Sequence, residues 1–266
     1  MKKMCVFVAN NFTFDSRVQR IAKTYSKKYD VVVVAITNSK KDVFLEKINN
    51  HLVVKRFFVK WPVKCINIFL FGQSLFKKIV IKEKPDICHC CDPDTMIAGI
   101  HAKKVIGSKI IYDAHELWSN MSHRQNILTT IYSFIYTRIY YSLERKYICY
   151  FDKVITVSES IKCILQKRYR LKNILLIENR CEYINLKKSN KFVKNICVYI
   201  GVERTDVIKY SLLVIKRFNY IVKIIGFKKN IPQINFKGRI NPLNFSKELI
   251  NCKIGLCIYG ADSKSV

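Results

Sequence analysis

At 266 residues the chain has room for one large domain or two modest ones, and with half of it hydrophobic a packed core is expected and wholesale disorder is not. Eight Gly and five Pro are too few for a sandwich or barrel rich in tight turns. Lys and Arg outnumber Asp and Glu by 48 to 19, a net charge of +29, which admits nucleic acid, an anionic membrane surface or phosphate-bearing substrates as partners, beside a plain compositional bias that scatters Lys singly and in pairs.

In chain order, Met4 to Ala9 reads as a strand and Asn10 to Thr13 as a loop, with Thr13 or Asp15 capping a helix. In that helix Val18, Ile21, Ala22 and Tyr25 share one face, with Arg17, Arg20, Lys23 and Lys27 elsewhere. Val31 to Ile36 is a continuous β-branched run of the kind buried on both faces of a parallel sheet. A strand from Leu52 to Val59 and a helix from Cys65 to Lys82 follow. Pro85 to Cys91 is a strand entering Asp92-Pro93-Asp94-Thr95, where Asp94 or Thr95 caps a helix to Ile106. The strand Lys109 to Tyr112 runs into Asp113, His115 and Glu116. A long helix spans Ile127 to Tyr150, a strand Lys153 to Val157, a helix capped by Ser158, and a strand Asn173 to Ile177. Residues 181–194 read as a linker. Strands at Asn195 to Ile200, Tyr220 to Ile225, near Phe236 and Lys253 to Ile258 follow, with a helix ending near Phe218 and another capped by Asn241. The expectation is an α/β protein with two doubly wound parallel-sheet domains, 1–180 and 195–266, the second stopping after few elements.

The eleven Cys are scattered, and the first apolar run is too short for a signal peptide, so they read as reduced, buried thiols of a cytoplasmic protein. No apolar run is long enough to span a bilayer. Basic charge and the aromatic-rich helix from Ile127 suit peripheral contact with anionic lipid at the inner face of the cytoplasmic membrane, although that helix also reads as core. No ribonucleoprotein motif, zinc finger or basic heptad region accompanies the charge, so nucleic acid is not an expected partner.

Ligands of open α/β sheets bind at the carboxyl ends of strands, where the polar clusters of this chain fall. Asp113, His115 and Glu116 suit a histidine held by a carboxylate against a substrate hydroxyl or a developing charge; a structural His beside a helix-capping acid fits them too. Asp92 and Asp94 end the neighbouring strand and are expected to line the same cleft. Cys88, His89, Cys90 and Cys91 are metal-ligand types, but strand alternation divides them and no second Cys pair follows, so no metal is expected. The loop containing Asn11 leads to a helix N-terminus able to meet an anion, with Arg17 either assisting or solvated. It lacks Gly-x-Gly-x-x-Gly, which disfavours a tightly bound dinucleotide. Gly201 ends a strand and is followed by Arg204 and Lys209, which suit a diphosphate or are two solvated charges.

Four strings stand in a telling order: Asp15-Ser16-Arg17-Val18; Lys84-Pro85-Asp86-Ile87 with Cys91-Asp92-Pro93-Asp94-Thr95; Tyr112-Asp113-Ala114-His115-Glu116-Leu117-Trp118; and Val154-Ile155-Thr156-Val157-Ser158-Glu159-Ser160. Together they resemble bacterial glycosyltransferases of the GT-B group related to family 4, and Val198 to Gly201 and Lys223 to Gly226 more weakly resemble the start of that family's nucleotide-sugar domain. The resemblance implies two Rossmann-like domains facing across a cleft, the first gripping an acceptor, the second a nucleotide sugar whose sugar is transferred with retention. It implies that His115 is the catalytic histidine beside the transferred sugar and that Glu116 and Asp92 shape the acceptor side. Gly201, Arg204, Lys209 and Gly226 then belong to the donor side, Arg204 and Lys209 having the Arg-x4-Lys spacing of a diphosphate pair. It implies no cofactor beyond the nucleotide-sugar substrate, and an envelope polysaccharide or lipid-linked glycan as acceptor. The family's Glu-x7-Glu pair is missing, since no two Glu of this chain stand eight apart. The second domain is therefore expected to be truncated, either because the sequence is a fragment or because the product itself is short, and the alternative function is an inactive remnant that binds acceptor or membrane only.

Overall fold

The computed structural model describes residues 1–59, 73–118, 127–180, 195–200, 212–215, 217–226, 235–237, 240, 248–249 and 252–256, and the chain divides into two units, Met1–Arg180 and Cys181–Val266. Unit one opens with β1 (Lys3–Val8), α1 (Ser16–Tyr25) and β2 (Asp30–Thr37). β1 and β2 pair in parallel from Lys3 opposite Asp30 to Val8 opposite Ala35. Past their first residues both are continuously buried, as strands covered on both faces of a parallel sheet are. Asp15 caps α1, its Oδ1 accepting the Val18 N–H at 3.0 Å.

The unit continues with β3 (Leu45–Asn49), β4 (Leu52–Phe58), α2 (Gln73–Glu83), β5 (Ile87–Cys91), α3 (Met96–Ile106), β6 (Lys109–Ala114), α4 (Ile127–Tyr147), β7 (Lys153–Thr156), α5 (Glu159–Tyr169) and β8 (Ile174–Leu176). These strands form one eight-stranded sheet in the order β3-β4-β2-β1-β5-β6-β7-β8. Every pairing is parallel except that of β3 with β4. The chain therefore winds outward from β1 through β2 to β4, then returns to β5 and winds the other way. The strand order reverses between β1 and β5, the kind of place where the loops of an open sheet part to admit a ligand.

One face of the sheet carries a core of Phe7, Val34, Cys88, Cys90, Tyr112 and the helices packed on them; the other carries Val6, Val33, Val54 and Cys91 beneath Val18 and Ala22 of α1. Strand alternation thus divides Cys88 and Cys90 from Cys91. Gly99 lets α3 lie close on β5, for a Cβ there would sit 2.7 Å from the Cys90 sulfur. Glu144 of α4 is buried because two tyrosines serve it, Tyr112 donating to Oε1 at 2.7 Å and Tyr169 to Oε2 at 2.9 Å.

Several expectations need correction. Leu45-Glu-Lys-Ile-Asn49 is a strand that its polar, largely exposed sequence conceals, since an edge strand has little to bury. β6 extends through Asp113 and Ala114, so Asp113 lies inside the sheet and not in the loop after it. Thr95 stands at the N-cap of α3 without a capping bond; its hydroxyl donates to the Cys91 and Asp92 carbonyls, closing a 3-10 turn over Pro93–Thr95. Cys149 and Cys163 are exposed, unlike the buried Cys5, Cys88, Cys90, Cys91 and Cys197. The part of the predicted helix before Gln73 lies outside the described residues. Among the described residues, no helix is long and apolar enough to cross a membrane.

Unit two holds β9 (Ile196–Ile200), β10 (Ile221–Ile225), β11 (Asn235–Lys237) and β12 (Ile254–Leu256), a parallel sheet in the order β11-β10-β9-β12. Tyr199, Leu212, Val222 and Ile224 form its core. The expected linker, and most of the helix expected from Asn241, lie outside the described residues.

Candidate active site

The carboxyl ends of β1, β5 and β6 stand side by side, and the loops leaving them carry Asn10 to Asp15, Asp92 to Thr95 and His115 to Trp118. The floor beneath is a buried polar layer. Asp113, wholly buried, accepts two bonds from Arg17, Nη2 to Oδ1 at 2.7 Å and Nε to Oδ2 at 3.1 Å. Nε2 of His89 stands 3.3 Å from Oδ2, and Nδ1 of His89 lies 3.2 Å from the Tyr25 hydroxyl. A carboxylate only accepts, so the His89 proton belongs on Nε2, and Nδ1 is then the acceptor for Tyr25. Burial works against the Asp113 charge, but His89 and Arg17 outweigh it and hold its carboxyl at about 2. Burial, with the Asp113 charge added, pushes the Tyr25 hydroxyl up to about 12.

Arg17 is thus neither solvated nor directed at an incoming anion. A helix residue outside the apolar face is buried because a carboxylate ninety-six residues along the chain meets its fork. The ligand atoms of His89, Cys91 and Asp113 lie within 4.8 Å of one another, a grouping able to approach a metal ion. That donor set is already committed: the guanidinium occupies both Asp113 oxygens and repels a cation, Tyr25 holds His89, and burial keeps the Cys91 thiol protonated.

Above this floor sit Asp92 and His115. Oδ1 of Asp92 lies 3.3 Å from Nδ1 of His115, close enough for attraction but without hydrogen-bond alignment. Burial pushes the Asp92 carboxyl up to about 8 against the pull of His115. Burial also works against a charged His115, but the carboxylates of Asp92, Asp113 and Asp15 overcome it and raise its pKa. The two shifts are linked, since only an ionised Asp92 favours a protonated His115, so the two groups titrate as a pair. Asp92 holds this place with φ 64° and ψ 165°, a strained backbone for a residue with a side chain. Glu116, next after His115 in the chain, is exposed.

Asp94 is buried next to them and accepts the Tyr140 hydroxyl, while Gln73 Nε2 donates to the Asp94 carbonyl at 2.7 Å. Trp118 stands edge-on to Tyr136 and Tyr140 at 6.2 and 6.1 Å between ring centres. Among the described residues, the buried side-chain atoms without a well-formed hydrogen bond are Gln73 Oε1, Asp92 Oδ1, His115 Nδ1 and Trp118 Nε1, the last near enough to the Asp92 carboxyl to favour its charge. All four belong to this neighbourhood. Buried polar groups are otherwise nearly always paired, so their gathering marks where a polar ligand would complete the structure.

Asn11 takes part through its backbone, its carbonyl accepting Arg56 Nε at 2.9 Å. Gly226 ends β10 in unit two with φ 106°, a conformation side chains resist. Gly201, Arg204 and Lys209 lie outside the described residues. Sequence reasoning did not single out Tyr25, Gln73 or Tyr140. Tyr25 and Tyr140 look like ordinary core aromatics in their helices, and only the fold brings their hydroxyls to His89 and Asp94.

The two-unit fold is similar to several solved enzymes, all too distant in sequence to show more than the fold. Sucrose-phosphate synthase from Thermosynechococcus elongatus matches with a TM-score of 0.70 at 11% identity, over 96% of this chain and 75% of that one. Anabaena HepE, solved with UDP and glucose, matches with 0.63 at 14%, over 96% and 73%. UDP-N-acetylglucosamine 2-epimerase from Rickettsia bellii matches with 0.58 at 16%, over 95% and 72%. A search of curated protein sequences finds no match. The sequence model of Glycosyltransferase Family 4 matches residues 16–179, which run from the first residue of α1 past β8 and take in Arg17, Asp92, Asp113 and His115. With that match covering most of the chain and the GT-B type of fold beneath it, this protein belongs to glycosyltransferase family 4.

Proposed function

We propose that this glycosyltransferase moves a sugar from a nucleotide-sugar donor to an envelope polysaccharide or lipid-linked glycan, with retention at the anomeric carbon. The acceptor hydroxyl adds to the anomeric carbon on the face from which the nucleoside diphosphate departs, and its proton leaves with the diphosphate. In this reading His115 donates a hydrogen bond to the transferred sugar, and Asp92, Asp94 and Glu116 line the acceptor side. Gly201, Arg204, Lys209 and Gly226 serve the donor. The reaction needs no cofactor beyond its sugar substrate. The protein works in the cytoplasm, peripherally at the inner face of an anionic membrane.

The observation that carries the reading is the convergence of unpaired, buried polar atoms on Asp92, His115, Trp118 and Gln73, where hydroxyl groups of a sugar would find both donors and acceptors. The HepE structure with UDP and glucose supports a nucleotide-linked donor. The alternative reading is a remnant that binds acceptor or membrane without transferring sugar.

A thermal-shift screen of the full chain against UDP-, GDP- and ADP-sugars, followed by turnover with the responding donor, separates the two. Sugar transfer predicts a shift with at least one donor, and turnover that His115→Ala lowers by about 10²- to 10⁴-fold with the melting temperature retained. No shift and no turnover with any donor would leave the remnant.

A further inference from the structure

The carboxyl edge of the sheet carries a second feature, on the far side of β1 from Asp92 and His115. The segment leaving β2 and entering β3 presents Val43, Phe44 and Leu45 to solvent at 63, 58 and 56% exposure, beside Phe58 at the end of β4 at 45%. The rings are held in place, Phe44 edge-on to Phe57 at 5.3 Å and Phe58 beneath Lys40 Nζ at 5.8 Å. Lys40, Lys41 and Lys47 are exposed around them. Glu46 pairs with Arg56 at 2.7 Å, while Asp42 accepts the Thr37 hydroxyl and keeps its charge, so three lysines face one carboxylate. An apolar tip flanked by an excess of cations has the chemistry of a surface that enters the headgroup layer of an anionic bilayer.

Arg56 joins this tip to the site. Buried itself, it donates from Nε to the Asn11 carbonyl at 2.9 Å and from Nη1 to the Val43 carbonyl at 3.2 Å. One guanidinium thus fixes the exposed tip to the loop that follows β1. We propose that the Val43–Leu45 tip with Phe58, flanked by Lys40, Lys41 and Lys47, docks the protein on anionic phospholipid and so presents the neighbouring site to acceptors carried in the membrane. A second copy of the chain fits the same face less well, because pairing would bring like rows of lysines together in a molecule already at +29.

The proposal rests on the membrane-peripheral part of the function given above, and its test needs neither donor nor acceptor, so it can fail while sugar transfer stands. The full chain is sedimented with vesicles of phosphatidylcholine, alone or with about three-tenths phosphatidylglycerol. Binding is expected only to the anionic vesicles and to weaken with salt. Phe44→Ser with Leu45→Ser, and separately Lys40→Glu with Lys41→Glu, are each expected to lower the partition coefficient about tenfold or more. Circular dichroism checks that both variants keep the fold. Absence of binding, equal binding to neutral vesicles, or undiminished binding by both variants overturns the proposal. So does a concentration-dependent dimer, lost in the Phe44/Leu45 variant, from a protein that ignores lipid.

Discussion

Replacing Asp92 with glycine should make the protein more stable and less active. Asp92 occupies φ 64° and ψ 165°, backbone space nearly reserved for glycine, and it precedes Pro93, whose ring narrows the choice further. Holding a non-glycine residue there costs about 1–3 kcal/mol. Glycine removes that strain but frees the unfolded chain, which returns about 0.5–1 kcal/mol, and it forgoes the attraction to His115. The backbone balance favours Asp92→Gly by up to about 2.5 kcal/mol. A second contribution depends on pH. Below the ordinary carboxyl pKa of about 4 Asp92 is protonated in both states and titration adds nothing. As pH rises from there, the unfolded carboxyl ionises while the folded one keeps its proton until about 8, so the native protein loses stability across that window. The variant has no carboxyl to titrate, and its advantage should widen by about 1 kcal/mol or more between pH 4 and pH 8. Urea unfolding followed by circular dichroism at the two pH values measures this. A variant less stable than the parent at both, or an advantage that shrinks as pH rises, would refute both the strain and the burial argument.

Arg17→Met should cost about 3–5 kcal/mol in the same urea assay, because it strands a buried carboxylate, and adding Asp113→Asn should return at least about 1 kcal/mol. In the parent the Asp113 contribution is present above pH 4 and is lost as pH falls through about 2, so an acid titration of stability should show that limb and the double variant should lack it. Gly99→Ala gains about 1 kcal/mol of helix propensity, yet its Cβ would meet the Cys90 sulfur at 2.7 Å and Phe151 at 3.2 Å, so a net loss of about 1–2 kcal/mol is expected by thermal melting. Tyr169→Phe withdraws one of the two tyrosine hydroxyls from buried Glu144 and should cost about 1–3 kcal/mol, readable as a lowered midpoint of thermal unfolding.

The parallel sheet of unit one was legible because its strands are short, continuous apolar runs separated by amphipathic helices, a pattern few other folds share. That Asp92 and His115 stand at the carboxyl ends of strands was legible because they follow such runs directly. What escaped was non-local. Asp113 continues a strand although its side chain is charged, which His89 and Arg17 make tolerable, and nothing in the neighbourhood of Asp113 or Arg17 announces the other. Asp94 gave the same difficulty, its burial depending on Tyr140 in a helix that reads as apolar on much of its circumference. β3 escaped for the opposite reason, since an edge strand has little to bury and so leaves no hydrophobic trace.

The Arg17–Asp113 pair also bears on the order in which the protein folds. α1 and β1 are local partners, but the carboxylate that neutralises Arg17 arrives ninety-six residues later, on the far side of β5. A contact that closes so long a loop forms late, after the chain between has collapsed. Substitutions at either residue should therefore leave the refolding rate nearly unchanged and quicken unfolding, so that the pair acts as a latch on an already assembled sheet.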